Sequence, residues 1–214
     1  MNYIKIDKET YPRREHFEHF CSYANPYGGI TAEVDITDAL ARIKAEGRPF
    51  FITLLYCMTK AANDVPEFRQ RIVDGEIIQF EHCDGSYTCA KEDGTYCYVP
   101  SNYVPDLDEF TAQTKEAQKK ALANASVEEE DDYLSRYFFS STPWISFLDV
   151  QQPTPIPADS NPRIVFGKYH EVSGRIMIPI NILINHALCD GWHIARVFSA
   201  FEGYLNDFAA GSRR

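Results

Sequence analysis

Ile182-Leu183-Ile184-Asn185-His186-Ala187-Leu188-Cys189-Asp190-Gly191-Trp192-His193 is the stretch on which the reading of this chain turns. Its first three residues end a β-rich run that starts at Ile176 and read as a buried strand. A histidine stands at the strand end, a glycine marks the turn, and an apolar pattern of helical spacing runs from Asp190 to Phe208. A histidine between a strand and a helix is held rigidly, and imidazole titrates nearest neutral pH of all side chains, so the position suits a general base. On the motif alone two readings stand open: a catalytic histidine, or a hydrogen-bonded core histidine ahead of a helix that Asp190 merely caps.

Working outward, Arg163 to Glu171 and Ile176 to Ile184 are expected to be two long strands joined by Ser173-Gly174, preceded by a proline-rich loop from Gln151 to Pro162. Arg136 to Phe139 and Trp144 to Phe147 are expected strands around the bend Ser140-Ser141-Thr142-Pro143. Asp74-Gly75, Asp84-Gly85 and Asp93-Gly94 separate β-rich runs and predict hairpins. Ile30, Ala32, Val34 and Ile36 alternate as in a half-buried strand. Helices are expected from Arg13 to Tyr23, from Thr37-Asp38 through Lys44 with Gly47 as stop, from Phe50 to Val65 buried on all sides, and from Leu107 to Ala125 at the surface. The acids from Glu128 to Asp132 read as a solvated loop. Strands and helices intersperse without regular βαβ alternation, so the expected class is α/β in the layered α+β sense, a mixed β-sheet packed with helices in one domain over 1–214.

The 214 residues are 44% hydrophobic and 24% charged, which fits a folded chain and excludes disorder. A net charge of −10 and a pI near 5.0, without a long basic run, argue against nucleic acid or an anionic membrane as partner. No apolar stretch reaches the roughly 18 to 20 residues that cross a bilayer, and the N-terminus lacks the apolar core of a secretory signal, so the cytoplasm is expected. Cysteines 21, 57, 83, 89, 97 and 189 form neither a CxxC pair nor a disulfide framework and read as reduced thiols. His82, Cys83, Cys89 and Cys97 have the wrong gaps for zinc, and no metal is expected.

The run from His186 to Arg196, HALCDGWHIAR, resembles the catalytic signature of the chloramphenicol acetyltransferase family. Arg13-Arg14-Glu15-His16-Phe17, Val34-Asp35-Ile36-Thr37, Pro66-Glu67-Phe68-Arg69 with Asp74-Gly75-Glu76, Ser140 through Phe147, and Gly167-Lys168-Tyr169 match in family order. The resemblance thus spans about residues 1 to 208.

It implies a coenzyme-A-dependent acyltransferase fold and acetyl transfer from acetyl-coenzyme A to a hydroxyl, in a homotrimer with sites between subunits. His186 would be the base, and Ser140 the donor to the oxyanion of a direct attack that needs no acetyl-enzyme. Asp190 tempts as a triad member, but the resemblance implies a structural ion pair with Arg13. A buried pair of that kind is expensive to break, at roughly 3 to 5 kcal/mol. Lys168 and Tyr169 match family residues near the coenzyme, and Trp144 would pack along its pantetheine arm, although a plain surface lysine and a core tryptophan are the bland readings. Phe20, Tyr96, Tyr98 and Val165 match the acceptor pocket.

Several positions depart from the family. Asn185 stands where the antibiotic-resistance enzymes carry a second histidine, and Pro49, beside Arg48, where they carry a coenzyme lysine. Val165 replaces a small polar residue, and Tyr96, Cys97 and Tyr98 replace phenylalanine, serine and alanine. The expected acceptor is chloramphenicol or a similar small molecule. The alternatives are another small alcohol or thiol, as in dihydrolipoamide acyltransferases, and a non-catalytic ligand-binding relative.

Overall fold

The structure, a computed structural model, describes residues 2–123 and 132–211. Chain order is β1 (Tyr3–Ile6), α1 (Arg14–Cys21), β2 (Tyr27–Asp35), α2 (Thr37–Glu46), α3 (Phe50–Asn63), β3 (Gln70–Val73), β4 (Glu76–Phe80), β5 (Asp84–Ala90), β6 (Tyr96–Ser101), α4 (Leu107–Ala123), β7 (Arg136–Thr142), β8 (Arg163–Gly167), β9 (His170–Val172), β10 (Arg175–Asn185) and α5 (Gly191–Ala210). The main sheet runs β2-β10-β8-β7-β5-β6, with β9 also paired to β10. Here β7 is parallel to both β5 and β8, while the other pairs are antiparallel, so the sheet is mixed as expected. A second, three-stranded sheet has the order β1-β4-β3.

The period of two along β10 decides how the layers stack. Ile178, Ile180, Ile182 and Ile184 are essentially fully buried in one core with Ile164, Phe166, Tyr137, Phe139 and the apolar residues of α3 and α5. Each such isoleucine contributes about 2 kcal/mol. Asn181 and Leu183 point to the opposite face, and so by register do Val165, Ser140, Thr88 and Tyr98. The all-round apolar pattern of α3 is matched by burial from Ile52 through Thr59.

Asp74-Gly75 and Ser173-Gly174 form tight turns in which both residues have positive φ, and Asp93-Gly94 turns β5 into β6. Asp84-Gly85 is no hairpin: it opens β5, where Gly85 pairs with both Ser101 and Tyr137. A Cβ on Gly85 would lie 2.3 Å from Ser101 Oγ and 3.1 Å from Phe139, so this glycine serves close approach rather than a turn. Asp84 turns its carboxylate inward, where Oδ1 accepts the backbone N–H of Tyr103 at 2.7 Å.

Residues 144–147 are not a strand; Trp144 lies in a turn and is 73% exposed, so the core reading fails. The expected strand from Arg163 to Glu171 is split at Lys168 and Tyr169, because the Lys168 N–H donates to Ile145 O at 2.9 Å instead of to β10. Strand β1 has no counterpart in the sequence reading, since four residues against β4 are too short to show a period. The acidic run at 128–131 and the end of the helix expected to reach Ala125 lie outside the described residues. All six cysteines are unpaired, and among the described residues no group of His, Cys, Asp and Glu is placed to hold a metal. No helix among the described residues is long and apolar enough to cross a membrane.

Candidate active site

Strand β10 ends at Asn185, whose side chain builds the turn beyond it. Asn185 Oδ1 accepts the Ala187 N–H at 3.0 Å, its amide donates to Asp159 O at 2.9 Å, and its backbone carbonyl accepts from Leu188 and Cys189. His186 is thereby fixed beside β2, with its N–H on Pro26 O at 2.8 Å. Its ring stacks on Phe20 from α1 at 4.1 Å between centroids and 21° between planes. Gly28 lies under the ring: a Cβ there would meet His186 Cδ2 at 3.1 Å. Nδ1 of His186 is buried without a hydrogen-bond partner from another described residue.

The sequence pairing of Arg13 with Asp190 is present, at 2.5 Å from Nη1 to Oδ2, with the side chains 13% and 29% exposed. Asp190 Oδ1 also caps α5 by accepting the Trp192 N–H at 2.9 Å. His193 Nδ1 stands 2.9 Å from Asp190 Oδ1 and 3.1 Å from Asp190 N, so the tautomer decides which bond forms. Burial opposes ionisation of Asp190, but the hydrogen bonds from Arg13 and His193 outweigh it and hold the carboxyl well below the usual range. On the far side of buried His193, Glu67 sits 3.7 Å from Nε2 and 3.7 Å from Arg196 Nη1. The neighbouring His193 ring is the main cause that lowers the Glu67 pKa. Asp190 therefore faces Arg13 and the helix start, as an ion pair and cap.

A second cluster forms on the opposite face of the sheet from the helices. Tyr98 pairs with Thr88 and Ser140 with Val165, and Thr88 and Ser140 sit one residue beyond Tyr87 and Phe139, the last residues paired between β5 and β7. Ser140 Oγ lies 2.9 Å from Thr88 Oγ1. Tyr96 and Tyr98 meet edge to face at 5.7 Å, the former 46% exposed, and Val165 is buried. The predicted acceptor residues therefore divide: Phe20 accompanies His186, whereas Tyr96, Tyr98 and Val165 accompany Ser140.

The two clusters are separate within one chain. Ser140, Val165 and Asn181 are successive register partners, and His186 lies five residues beyond Asn181 on the chain. At about 4.8 Å per strand and 3.4 Å per residue, Ser140 and His186 are about 20 Å apart. Within a single chain, His186 and Ser140 therefore do not face a common point.

The three predicted coenzyme residues lie on neighbouring backbone segments. The Lys168–Ile145 hydrogen bond brings the exposed Trp144 turn beside exposed Lys168, and Tyr169 packs edge to face on Phe50 at 5.5 Å. An exposed indole and an exposed ammonium on neighbouring backbone segments suit an apolar arm that ends in phosphates. Arg48, beside the departed lysine, is engaged by Glu46 and by Asp108 at 2.6 Å from Nη1 to Oδ1. Sequence reasoning missed Gly28, Thr88, Glu67 and His193 as parts of these clusters. The repeated histidine spacing of HALCDGWH was the available signal for His193, while nothing local marks Thr88.

The family model for chloramphenicol acetyltransferase matches residues 1–202. Chloramphenicol acetyltransferase 2 of Escherichia coli is 29% identical over 94% of this chain and 96% of its own length. A chloramphenicol acetyltransferase of Proteus mirabilis is 27% identical over 95% of each chain. A solved chloramphenicol acetyltransferase superposes with a TM-score of 0.81 at 29% identity, covering 94% of this chain and all of the other. A dihydrolipoamide acetyltransferase of Azotobacter vinelandii, at 16% identity and a TM-score of 0.66 over 92% of this chain and 87% of its own, shares the fold.

Proposed function

Because the chain belongs to the chloramphenicol acetyltransferase family, we propose that it moves acetyl from acetyl-coenzyme A to a hydroxyl of chloramphenicol or a similar small acceptor. The reaction is catalysed by His186 of one subunit and Ser140 of the next, in a homotrimer of 1–214 domains. The separation of the two clusters by about 20 Å carries this reading, since a site built between chains unites what one chain holds apart.

The buried Nδ1 of His186 leaves Nε2 to face the acceptor. Nε2 takes the proton of the acceptor hydroxyl while that oxygen attacks the thioester carbonyl carbon. The carbonyl oxygen gains the negative charge, and the Ser140 hydroxyl donates to it. Collapse expels coenzyme A as thiolate, which recovers the proton from the imidazolium. Trp144 and Tyr169 line the pantetheine arm, and Lys168 answers the phosphates. The supply of acetyl-coenzyme A and six unpaired thiols both favour the cytoplasm.

The edge-to-face pair of Tyr96 and Tyr98 supports a second acceptor reading, because two phenols crowd the wall beside Ser140 and favour a slimmer alcohol or a thiol. The test is mass spectrometry of chloramphenicol after incubation with acetyl-coenzyme A and the protein, with His186→Ala as control. Acetylated drug, reduced at least about 100-fold by the substitution, is expected. Absence of product with chloramphenicol but acetylation of another alcohol or thiol moves the acceptor. Coenzyme binding without transfer to any acceptor overturns catalysis and leaves a ligand-binding relative.

A further inference from the structure

We propose that Thr88 is a positioning residue for the reaction: it donates its hydroxyl proton to Ser140 and so frees the proton of Ser140 for the developing oxyanion. The inference rests on the role given to Ser140 above.

Two hydroxyl oxygens 2.9 Å apart, Thr88 Oγ1 and Ser140 Oγ, share one hydrogen bond. Each hydroxyl has a single proton, so whichever residue donates to the other has none left for a third group. If Ser140 donated to Thr88, its proton would point along the sheet, and donation to substrate would first require breaking that bond. With Thr88 as donor, Ser140 accepts on one lone pair and aims its proton at the reacting oxygen. The two bonds then polarise each other, from Thr88 to Ser140 to oxyanion.

The surroundings select Thr88 for this part. Ser140 is flanked across the sheet by Thr88 on β5, through its hydroxyl, and by Val165 on β8, and valine has no hydroxyl to offer. Thr88 stands on a half-buried strand between Ser140 and its pairing partner Tyr98. Threonine is branched at Cβ and restricted at χ1, which makes its hydroxyl a better directed donor than that of serine. The sheet fixes both backbones, so the donor geometry is set before substrate arrives.

The experiment is steady-state kinetics, with whichever acceptor the protein acetylates, on Thr88→Val, Thr88→Ser, Ser140→Ala and the double variant Thr88→Val/Ser140→Ala. Melting temperatures serve as controls for folding. Ser140→Ala is expected to lower kcat about 100-fold. Thr88→Val, which keeps the shape and removes the hydroxyl, is expected to lower kcat about 10-fold with KM for both substrates unchanged. Thr88→Ser should recover most of that loss. In the double variant, Thr88→Val should add nothing to the loss from Ser140→Ala, since its action passes through that hydroxyl. A Thr88→Val enzyme with undiminished kcat, while Ser140→Ala is impaired, overturns the inference and leaves Ser140 in its role. Additive losses in the double variant overturn it as well. An unimpaired Ser140→Ala overturns the role of Ser140 itself.

Discussion

Gly28 lacks a side chain at the place where the imidazole of His186 needs the space. Gly28→Ala would put a methyl 3.1 Å from His186 Cδ2, tighter than ordinary contact, and the ring is held from its other side by Phe20. The ring must shift, so kcat should fall about 10- to 100-fold with little change in melting temperature; kinetics and calorimetry check both. A fall in melting temperature of several degrees would place the effect in the sheet instead. The Arg13–Asp190 pair was legible, and His186 and Ser140 stood out as candidates, because each belongs to a run of residues that match in order. Gly28 and Thr88 were not. Each lies on a strand far along the chain from its partner, 52 residues away in the case of Thr88 and Ser140, and only pairing of strands makes them neighbours.

At the scale of elements, Asp190 combines two duties that substitution separates. Asparagine caps helices as well as aspartate does, so Asp190→Asn keeps the start of α5 and loses the charge opposite Arg13. The pair is part-exposed, which brings the expected loss to about 1 to 3 kcal/mol, below the figure for a fully buried pair. Asp190→Ala loses the cap as well, about 1 kcal/mol more. Urea melts should therefore rank the native protein above Asp190→Asn above Asp190→Ala, with turnover reduced in both variants as the turn that presents His186 loosens. Lost turnover at unchanged stability in Asp190→Asn would contradict the structural role.

Acid makes the same point. The folded-state pKa values of Asp190 and Glu67 are both lowered, so each contributes stability that is present above the ordinary carboxylate range of about 3.9 to 4.3. That contribution is lost as pH falls through the lower folded values. The urea midpoint should drop between about pH 5 and pH 2, and drop less in Asp190→Asn, which has one such carboxyl fewer. An equal pH slope in the two proteins would remove Asp190 from the account. Helices and the long strand β10 could be read from periodicity and from Gly and Asp stops. Asp84-Gly85 and residues 144–147 were misread because Gly85 answers to Ser101 and Phe139, and the 144–147 segment to Lys168, contacts that no local pattern encodes.

For the whole molecule, a site shared between neighbours predicts complementation. Chains carrying His186→Ala keep an intact Ser140 cluster, and chains carrying Ser140→Ala keep an intact histidine cluster. Mixed trimers formed by refolding the two together at equal amounts should contain native pairs of clusters at about a quarter of their sites. Activity should rise well above the sum of the two separate variants; no rise would mean that base and donor act within one chain. Sequence patterning gave the mixed sheet and its helices, but the separation of Ser140 from His186 leaves no trace in period or spacing. It emerged only from register, once Ser140 and His186 were counted across the strands.

The placement of Tyr96 and Tyr98 has a bearing on how such a protein changes over generations. Both stand on β6, the last strand of the main sheet's order, while His186 follows the end of β10, which lies between β2 and β8. Substitutions at these two positions therefore fall at the edge of the chain's own sheet, away from the same chain's His186 and its supports. Were those two tyrosines the acceptor wall proposed above, a lineage could change its acceptor by altering a few residues beside the Asp93-Gly94 turn, at small risk to the core.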